Sequence, residues 1–195
     1  MRILTLLFVD TNTKSLESLL LSSFLSGENI AELSRYKLEE TKKEKAASMI
    51  LKNKYIGEYY LNESGKPLSK SCYFNISHSK GYVVFIKDDV PIGVDIEKVE
   101  ERPESWAKEY FTERELLVNT PAFLTELWAK KEAILKLLQI GLTVPAKDIE
   151  ITGGEIHFYN KALDIWALKG SPKIVFETKN LDGGYKFILA YPDII

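Results

Sequence analysis

Asp95 and Glu97 stand two apart in the run Ile92-Gly93-Val94-Asp95-Ile96-Glu97. Residues two apart on a strand share a face. Ile92, Val94 and Ile96 then face a core, while Gly93, Asp95 and Glu97 face the other way, with Gly93 leaving room for a ligand. Two carboxylates on one face repel unless something positive lies between them. A hard divalent cation is the natural partner; the plainer alternative is a solvated strand face.

A second group is Trp128-Ala129-Lys130-Lys131-Glu132-Ala133-Ile134-Leu135-Lys136. Glu132 and Lys136 are four apart and share a helix face, as a surface ion pair or as a third carboxylate and a phosphate-neutralising ammonium. Trp128 lies one turn earlier and would wall such a site. In Phe74-Asn75-Ile76-Ser77-His78-Ser79 a strand ends in hydroxyls, an imidazole and freed backbone N–H groups. These suit phosphate oxygens or a hydrogen-bonded turn. Adjacent Ser and His do not present the geometry of an activated nucleophile. Gly65-Lys66-Pro67 is a tight loop offering one lysine, without the Gly-rich run of a P-loop. His157, between Ile156 and Phe158, reads as structural.

The elements that must position these groups follow from periodicity and punctuation. Ile3 to Val9 reads as a strand. Lys14 to Leu25 reads as a helix through Leu16, Leu19, Leu20 and Phe24, ended by Gly27, and Ala31 to Tyr36 as a shorter one. Glu39 to Tyr60 is a long helix with Ala46, Ala47, Ile50, Leu51, Ile56 and Tyr59 as its apolar stripe. Strands follow at Tyr73 to Ser77, Tyr82 to Lys87 and Ile92 to Glu97, spaced as an antiparallel meander. Pro103 opens a helix to Tyr110, and Thr112 with Glu115 forms a capping box. Phe123 to Gln139 is a second long helix, closed by Gly141. Five strands complete the chain: Ile149 to Thr152, Glu155 to Tyr159, Asp164 to Leu168, Lys173 to Glu177 and Tyr185 to Ala190. The fold class is α+β rather than doubly wound, because helices and antiparallel strands are grouped. There is no repeat at the level of residue identity. The order fits an N-terminal lobe at 1–90 and a C-terminal lobe at 91–195 that carries most of the metal site.

Composition narrows the function. The 195 residues hold 26 basic and 28 acidic side chains, for a net charge of -2. That balance argues against nucleic-acid binding. One cysteine, Cys72, excludes a disulfide scaffold, and with two histidines it leaves little room for zinc. No run reaches the ~18 apolar residues that cross a bilayer. The apolar start, Met1 to Val9, is interrupted by Asp10, Lys14 and Glu17 and reads as a buried strand. The expected location is the cytoplasm.

Taken in order, Gly-Lys-Pro, Phe-Asn-Ile-Ser-His-Ser, Ile-Gly-Val-Asp-Ile-Glu and Trp-Ala-Lys-Lys-Glu-Ala-Ile-Leu-Lys resemble the 4′-phosphopantetheinyl transferases of the type that activates surfactin synthetase. The resemblance runs from about Arg35 to Ala190, and Tyr110-Phe111-Thr112 to Glu115 resembles the family's short acidic motif. It implies a monomer of two similar lobes about a pseudo-twofold axis, each a small antiparallel sheet with a long helix, and coenzyme A bound between them. It implies transfer of the 4′-phosphopantetheine arm to a serine of an acyl or peptidyl carrier protein, with release of adenosine 3′,5′-bisphosphate. Asp95, Glu97 and Glu132 become ligands of Mg2+, with Mn2+ as a substitute. Lys136 contacts the pyrophosphate, Ser77 and His78 contact coenzyme A phosphates, and Lys66 lies along the coenzyme. The base is Glu132 or a metal-bound water that it orients. Glu115 serves the site, the structure or the helix cap.

The chain departs from the family where basic residues usually hold the 3′-phosphate. Asn29 and Glu32 stand there, and Glu44 replaces an arginine of the long helix; Lys42, Lys43 and Lys45 could supply the charge. Two other classes compete: a magnesium-dependent phosphohydrolase acting on a nucleotide, and a coenzyme A-binding module without turnover.

Overall fold

The computed structural model describes residues 5–62, 65–140 and 143–193. The chain divides into two compact units, Met1–Val90 and Pro91–Ile195. Each is α+β, with small antiparallel sheets and several helices.

In the first unit β1 (Thr5–Asp10), α1 (Leu16–Leu20), α2 (Gly27–Leu33) and α3 (Glu39–Tyr55) precede the strands β2 (Tyr60–Leu61), β3 (Pro67–Leu68), β4 (Tyr73–Ser79) and β5 (Tyr82–Asp88). β5 is the centre of a three-stranded sheet, antiparallel to β1 and β4. Ala47 and Leu51 of α3 pack on Phe74, Val83 and Phe85 of that sheet. The other side of α3 uses Ala46 and Met49 to cover Leu19 and Leu33. Glu39 and Glu40 in its first turn and Lys52 and Lys54 in its last complement the helix dipole.

Four boundaries differ from expectation. The first helix stops at Leu20, because Leu21 and Phe24 stay exposed and give a longer helix no packing. Gly27 begins α2 rather than ending α1: the side chains of Ser26 and Asn29 form a reciprocal capping box there. That helix ends at Leu33 instead of Tyr36. α3 ends at Tyr55, not Tyr60, since Gly57 turns with φ +72° and its N–H donates to the Lys52 carbonyl.

In the second unit β6 (Gly93–Lys98), α4 (Glu104–Tyr110), α5 (Pro121–Leu137), β7 (Ile149–Thr152), β8 (Glu155–Phe158), α6 (Asn160–Leu168), β9 (Ile174–Leu181) and β10 (Tyr185–Pro192) follow in order. β10 lies between β6 and β9, antiparallel to both. β7 and β8 form a separate hairpin. The segment expected as a strand at Asp164–Leu168 is the end of α6. Its apolar residues Ala162, Ile165 and Trp166 follow helical spacing, and they pack with Ile149 and Phe158.

α5 is fixed at both ends. Thr120 caps it through Oγ1, which accepts from the Phe123 N–H at 3.3 Å, and Pro121 fills the first turn. At the other end Gln139 takes φ +63°. Its N–H donates to the Lys136 carbonyl at 3.2 Å, and the Ile140 N–H to Leu135 at 3.1 Å. This is the Schellman arrangement, with glutamine where glycine is usual. Gly141, the expected terminator, lies outside the described residues, as do Ile3 and Leu4 of the expected first strand.

Candidate functional site

Gly93 explains how β6 and α5 come together. A Cβ on Gly93 would lie 1.9 Å from the Ala133 carbonyl oxygen and 2.8 Å from the Leu137 nitrogen. The space expected for a ligand is therefore filled by the helix backbone. Ala129 and Ala133, fully buried against Ile188 and Ala190 of β10, allow the same close approach. The alternation along β6 otherwise holds: Val94 and Ile96 are fully buried, and Asp95 and Glu97 share the opposite face with Gly93. A strand pressed this tightly on a helix brings its carboxylates to the side chains of that helix.

The Lys136 ammonium donates to Asp95 Oδ1 at 2.6 Å and lies 4.0 Å from Glu132 Oε2. The pair expected between Glu132 and Lys136 is thus the looser contact, and the lysine reaches across to the strand. Asp95 is 2% exposed. Glu132 Oε1 is buried and has no hydrogen-bond partner among the described residues. Burial pushes the Glu132 carboxyl up to about 7, with Lys136 opposing and the charges of Asp95 and Glu97 adding to the rise. Glu97 accepts from Arg102 at 3.3 Å. Among the described residues no three His, Cys, Asp or Glu side chains are spaced as they stand to hold a metal ion. The carboxylate oxygens are nevertheless of the type a hard cation takes, and Glu132 Oε1 is a buried acceptor without a donor.

Lys131, one residue earlier, is fully buried and belongs to another network. It donates to Glu115 Oε2 at 2.7 Å and to the Tyr110 carbonyl at 3.0 Å. Glu115 also accepts from the Thr112 N–H at 2.8 Å and the Ile151 N–H at 2.9 Å. The reciprocal Thr112–Glu115 bonds expected of a capping box are present, beside a 3-10 turn at Glu115–Leu117 whose own N-cap, Arg114, makes no side-chain cap bond. Thr112 Oγ1 and Arg114 extend the network by donating to Glu150 at 2.7 and 2.9 Å. Glu115 therefore ties α5, β7 and the turn after α4 together. Sequence reasoning missed Lys131; a residue next to Glu132 is turned about 100° around a helix and must serve another face. Trp128 also differs from expectation. It is buried in an aromatic cluster, edge-on to Tyr110 and Trp106 at centroid distances of 4.7 and 5.8 Å.

In the first unit β4 runs on through Ser79, so His78 pairs with Val83 inside the strand and the freed N–H groups expected there do not form. The turn comes later, at Lys80 and Gly81, both with positive φ. His78 Nδ1 lies 3.0 Å from Glu44 Oε2, and the Gly81 N–H donates to Glu44 Oε1 at 2.7 Å. Burial resists the Glu44 charge, but the contacts from His78 and Gly81 and the neighbouring Lys45 leave its carboxyl below the usual range. Lys45 Nζ lies 3.2 Å from His78 Nε2. An ammonium only donates, so Nε2 accepts and Nδ1–H faces Glu44. Ser77 is buried on the same strand. Lys66 sits in the β2–β3 hairpin, its N–H donating to the Asn62 side chain at 2.8 Å. Asn29 is spent on the α2 cap, and Glu32 raises the burial-lowered Lys52 ammonium. His157 lies 3.6 Å from Glu155 on the β7–β8 hairpin. No helix among the described residues is long and apolar enough to cross a membrane.

Comparison with a family model bears on the segment that holds β6 and α5. A family model described as the 4′-phosphopantetheinyl transferase superfamily matches residues 91–178. The 4′-phosphopantetheinyl transferase psf-1 of Bacillus pumilus is 36% identical over 90 residues, 41% of this chain and 39% of that protein. The gsp transferase of Aneurinibacillus migulanus matches over a similar share, at 34% identity and 39% of its length. The match thus spans about two fifths of the length of these two relatives. The 4′-phosphopantetheinyl transferase Sfp of Bacillus subtilis (strain 168) is 28% identical over 193 residues, 88% of this chain and 84% of its own.

Proposed function

We propose that this chain, whose residues 91–178 match a model of the 4′-phosphopantetheinyl transferase superfamily, acts as such a transferase and moves the 4′-phosphopantetheine arm of coenzyme A onto a serine of an acyl or peptidyl carrier protein. The observation that carries this reading is the group formed by β6 and α5 inside the matched segment. There Lys136 bonds Asp95, and the buried Glu132 oxygen has no donor. In the proposed reaction the serine Oγ bonds to the phosphorus that bears pantetheine. The bond from that phosphorus to the bridging oxygen breaks, and adenosine 3′,5′-bisphosphate leaves.

Positioning and charge neutralisation dominate such a transfer. Asp95, Glu97 and Glu132 are the proposed ligands of Mg2+, with Mn2+ as substitute; a bound ion would neutralise charge on the pyrophosphate. Glu132, or a metal-bound water that it would orient, is the proposed base for the serine proton. Lys136 is proposed to stabilise the leaving bisphosphate by a charge-assisted hydrogen bond. Lys45, Lys66, Ser77 and His78 are proposed to bind coenzyme A. The bond from His78 to Glu44 orients the ring with Nε2 outward to Lys45.

The test is incubation with coenzyme A, Mg2+ and an apo carrier, followed by mass spectrometry of the carrier. Transfer adds about 340 Da, the mass of one arm joined through a single phosphodiester. Asp95→Ala should lower the rate by about 10²–10³-fold, as loss of one preorganised charge contact does. Release of free phosphate products without carrier labelling would point instead to a hydrolase, and coenzyme A binding without either product to a binding module.

A further inference from the structure

Asp95, Glu97 and Glu132 place three acidic groups in one field, and the positive charge among them belongs to the protein itself. Lys136 Nζ sits 2.6 Å from Asp95 Oδ1 and 4.0 Å from Glu132 Oε2. Its helix turn is held by the Gln139 and Ile140 caps, so the lysine reaches the strand from a fixed base. The arrangement leaves Glu132 Oε1 buried and undonated. A compact divalent ion would be accepted by the same oxygens, and it would repel an ammonium bonded to one of them.

From this we infer that Lys136 is a place-holding cation: it neutralises Asp95 whenever no divalent ion is bound and must leave that oxygen before such an ion binds well. The inference rests on the proposed metal role of Asp95 and Glu132. A displaced ammonium needs another anion. A pyrophosphate group beside the site provides one, so divalent ion and coenzyme A assist each other's binding. By linkage the assistance is equal in both directions. Lys136 thus couples the two ligands, besides neutralising charge in the reaction.

The experiment is Mn2+ binding, read from the electron paramagnetic resonance signal of free ion, with and without coenzyme A. Wild type is expected to bind Mn2+ weakly alone and about tenfold or more tightly with coenzyme A, within the usual range of such coupling. Lys136→Met is expected to bind Mn2+ about tenfold more tightly than wild type when no coenzyme is present, and to gain little when it is added. Lys136→Gln, which keeps a polar end, provides the same reading should the methionine variant fail to fold by circular dichroism. Equal or weaker Mn2+ binding by the folded variants, with binding still abolished by Asp95→Ala, overturns the place-holding role and leaves the metal reading standing. Mn2+ binding that ignores Asp95 in every protein overturns both.

Discussion

Lys131 and Glu132 are neighbours on α5, and their surroundings are opposites. Lys131 is fully buried, yet its ammonium has a carboxylate at 2.7 Å and a carbonyl at 3.0 Å. Its partner Glu115 accepts two further backbone N–H groups. Glu132 is also largely buried, but one of its oxygens has no donor, and its nearest ammonium is committed to Asp95. A saturated network fixes geometry and has nothing left to offer a ligand. An unsaturated one costs stability and retains binding capacity. The contrast teaches that burial of charge alone does not mark a site; what separates the two is whether each oxygen already has its donor.

The strongest way to break this contrast is Lys131→Met. Removing one member of a buried pair leaves the other charge uncompensated, which costs about 3–5 kcal/mol. Urea unfolding followed by tryptophan fluorescence should show that loss. Replacing Lys131 and Glu115 together by Met and Gln should recover part of it, because no lone charge then remains. If the single variant unfolds at the same urea concentration as wild type, the network is not the strut that the hydrogen bonds describe.

Much of the second unit was legible in its sequence, for physical reasons that do not apply everywhere. Asp95 and Glu97 were readable because strand alternation is strict and their intervening neighbours Val94 and Ile96 are plainly apolar. Glu132 and Lys136 were readable as a shared helix face, but not their true partners. That Lys136 reaches Asp95, 41 positions away, depends on how closely Gly93 lets two backbones approach. At Gly93 a missing side chain looks the same in sequence whether a ligand or a helix fills the gap, and here the backbone of α5 fills it. The Asp164–Leu168 end of α6 looks like a strand in sequence, because a short apolar run gives little to distinguish the two periods. The contacts of His78 with Lys45 and Glu44 join residues 33 and 34 positions apart, so only the packing of α3 on β4 could reveal them.

A middle-sized effect sharpens the other half of the contrast. The Glu132 carboxyl has an ordinary value of 4.5 and a folded value of about 7. The folded protein therefore holds this proton more tightly than the unfolded chain does. Stability falls as pH rises from the lower value through the higher, and the loss is complete above it. Glu132→Gln lacks that loss. With divalent ions chelated, the variant should match wild type below about pH 4.5 and exceed it by about 1–3 kcal/mol at pH 8. Thermal melts across that pH range check it. A variant that is less stable than wild type at pH 8 would mean that the ionised carboxylate is already well satisfied.

Lys130 should show the smallest effect, and the reason tests the contrast from its other side. Its ammonium bonds Glu126 at 2.7 Å, one helical turn away, and both side chains are partly exposed. Water therefore shares in solvating each charge, in the way it cannot for Lys131. Glu126 is not abandoned when Lys130 is removed, because Lys186 of β10 donates to its second oxygen at 3.0 Å. Burial works against the Glu126 charge, and the two lysines together outweigh it and hold its carboxyl below the usual range. With one lysine left, the carboxylate keeps a partner. Lys130→Ala is then worth at most about 1 kcal/mol, the range of exposed pairs, and 0.5 M salt should shrink even that. A loss comparable with that of Lys131→Met would show that burial had been given too much weight in separating these neighbouring lysines, since both have a carboxylate partner.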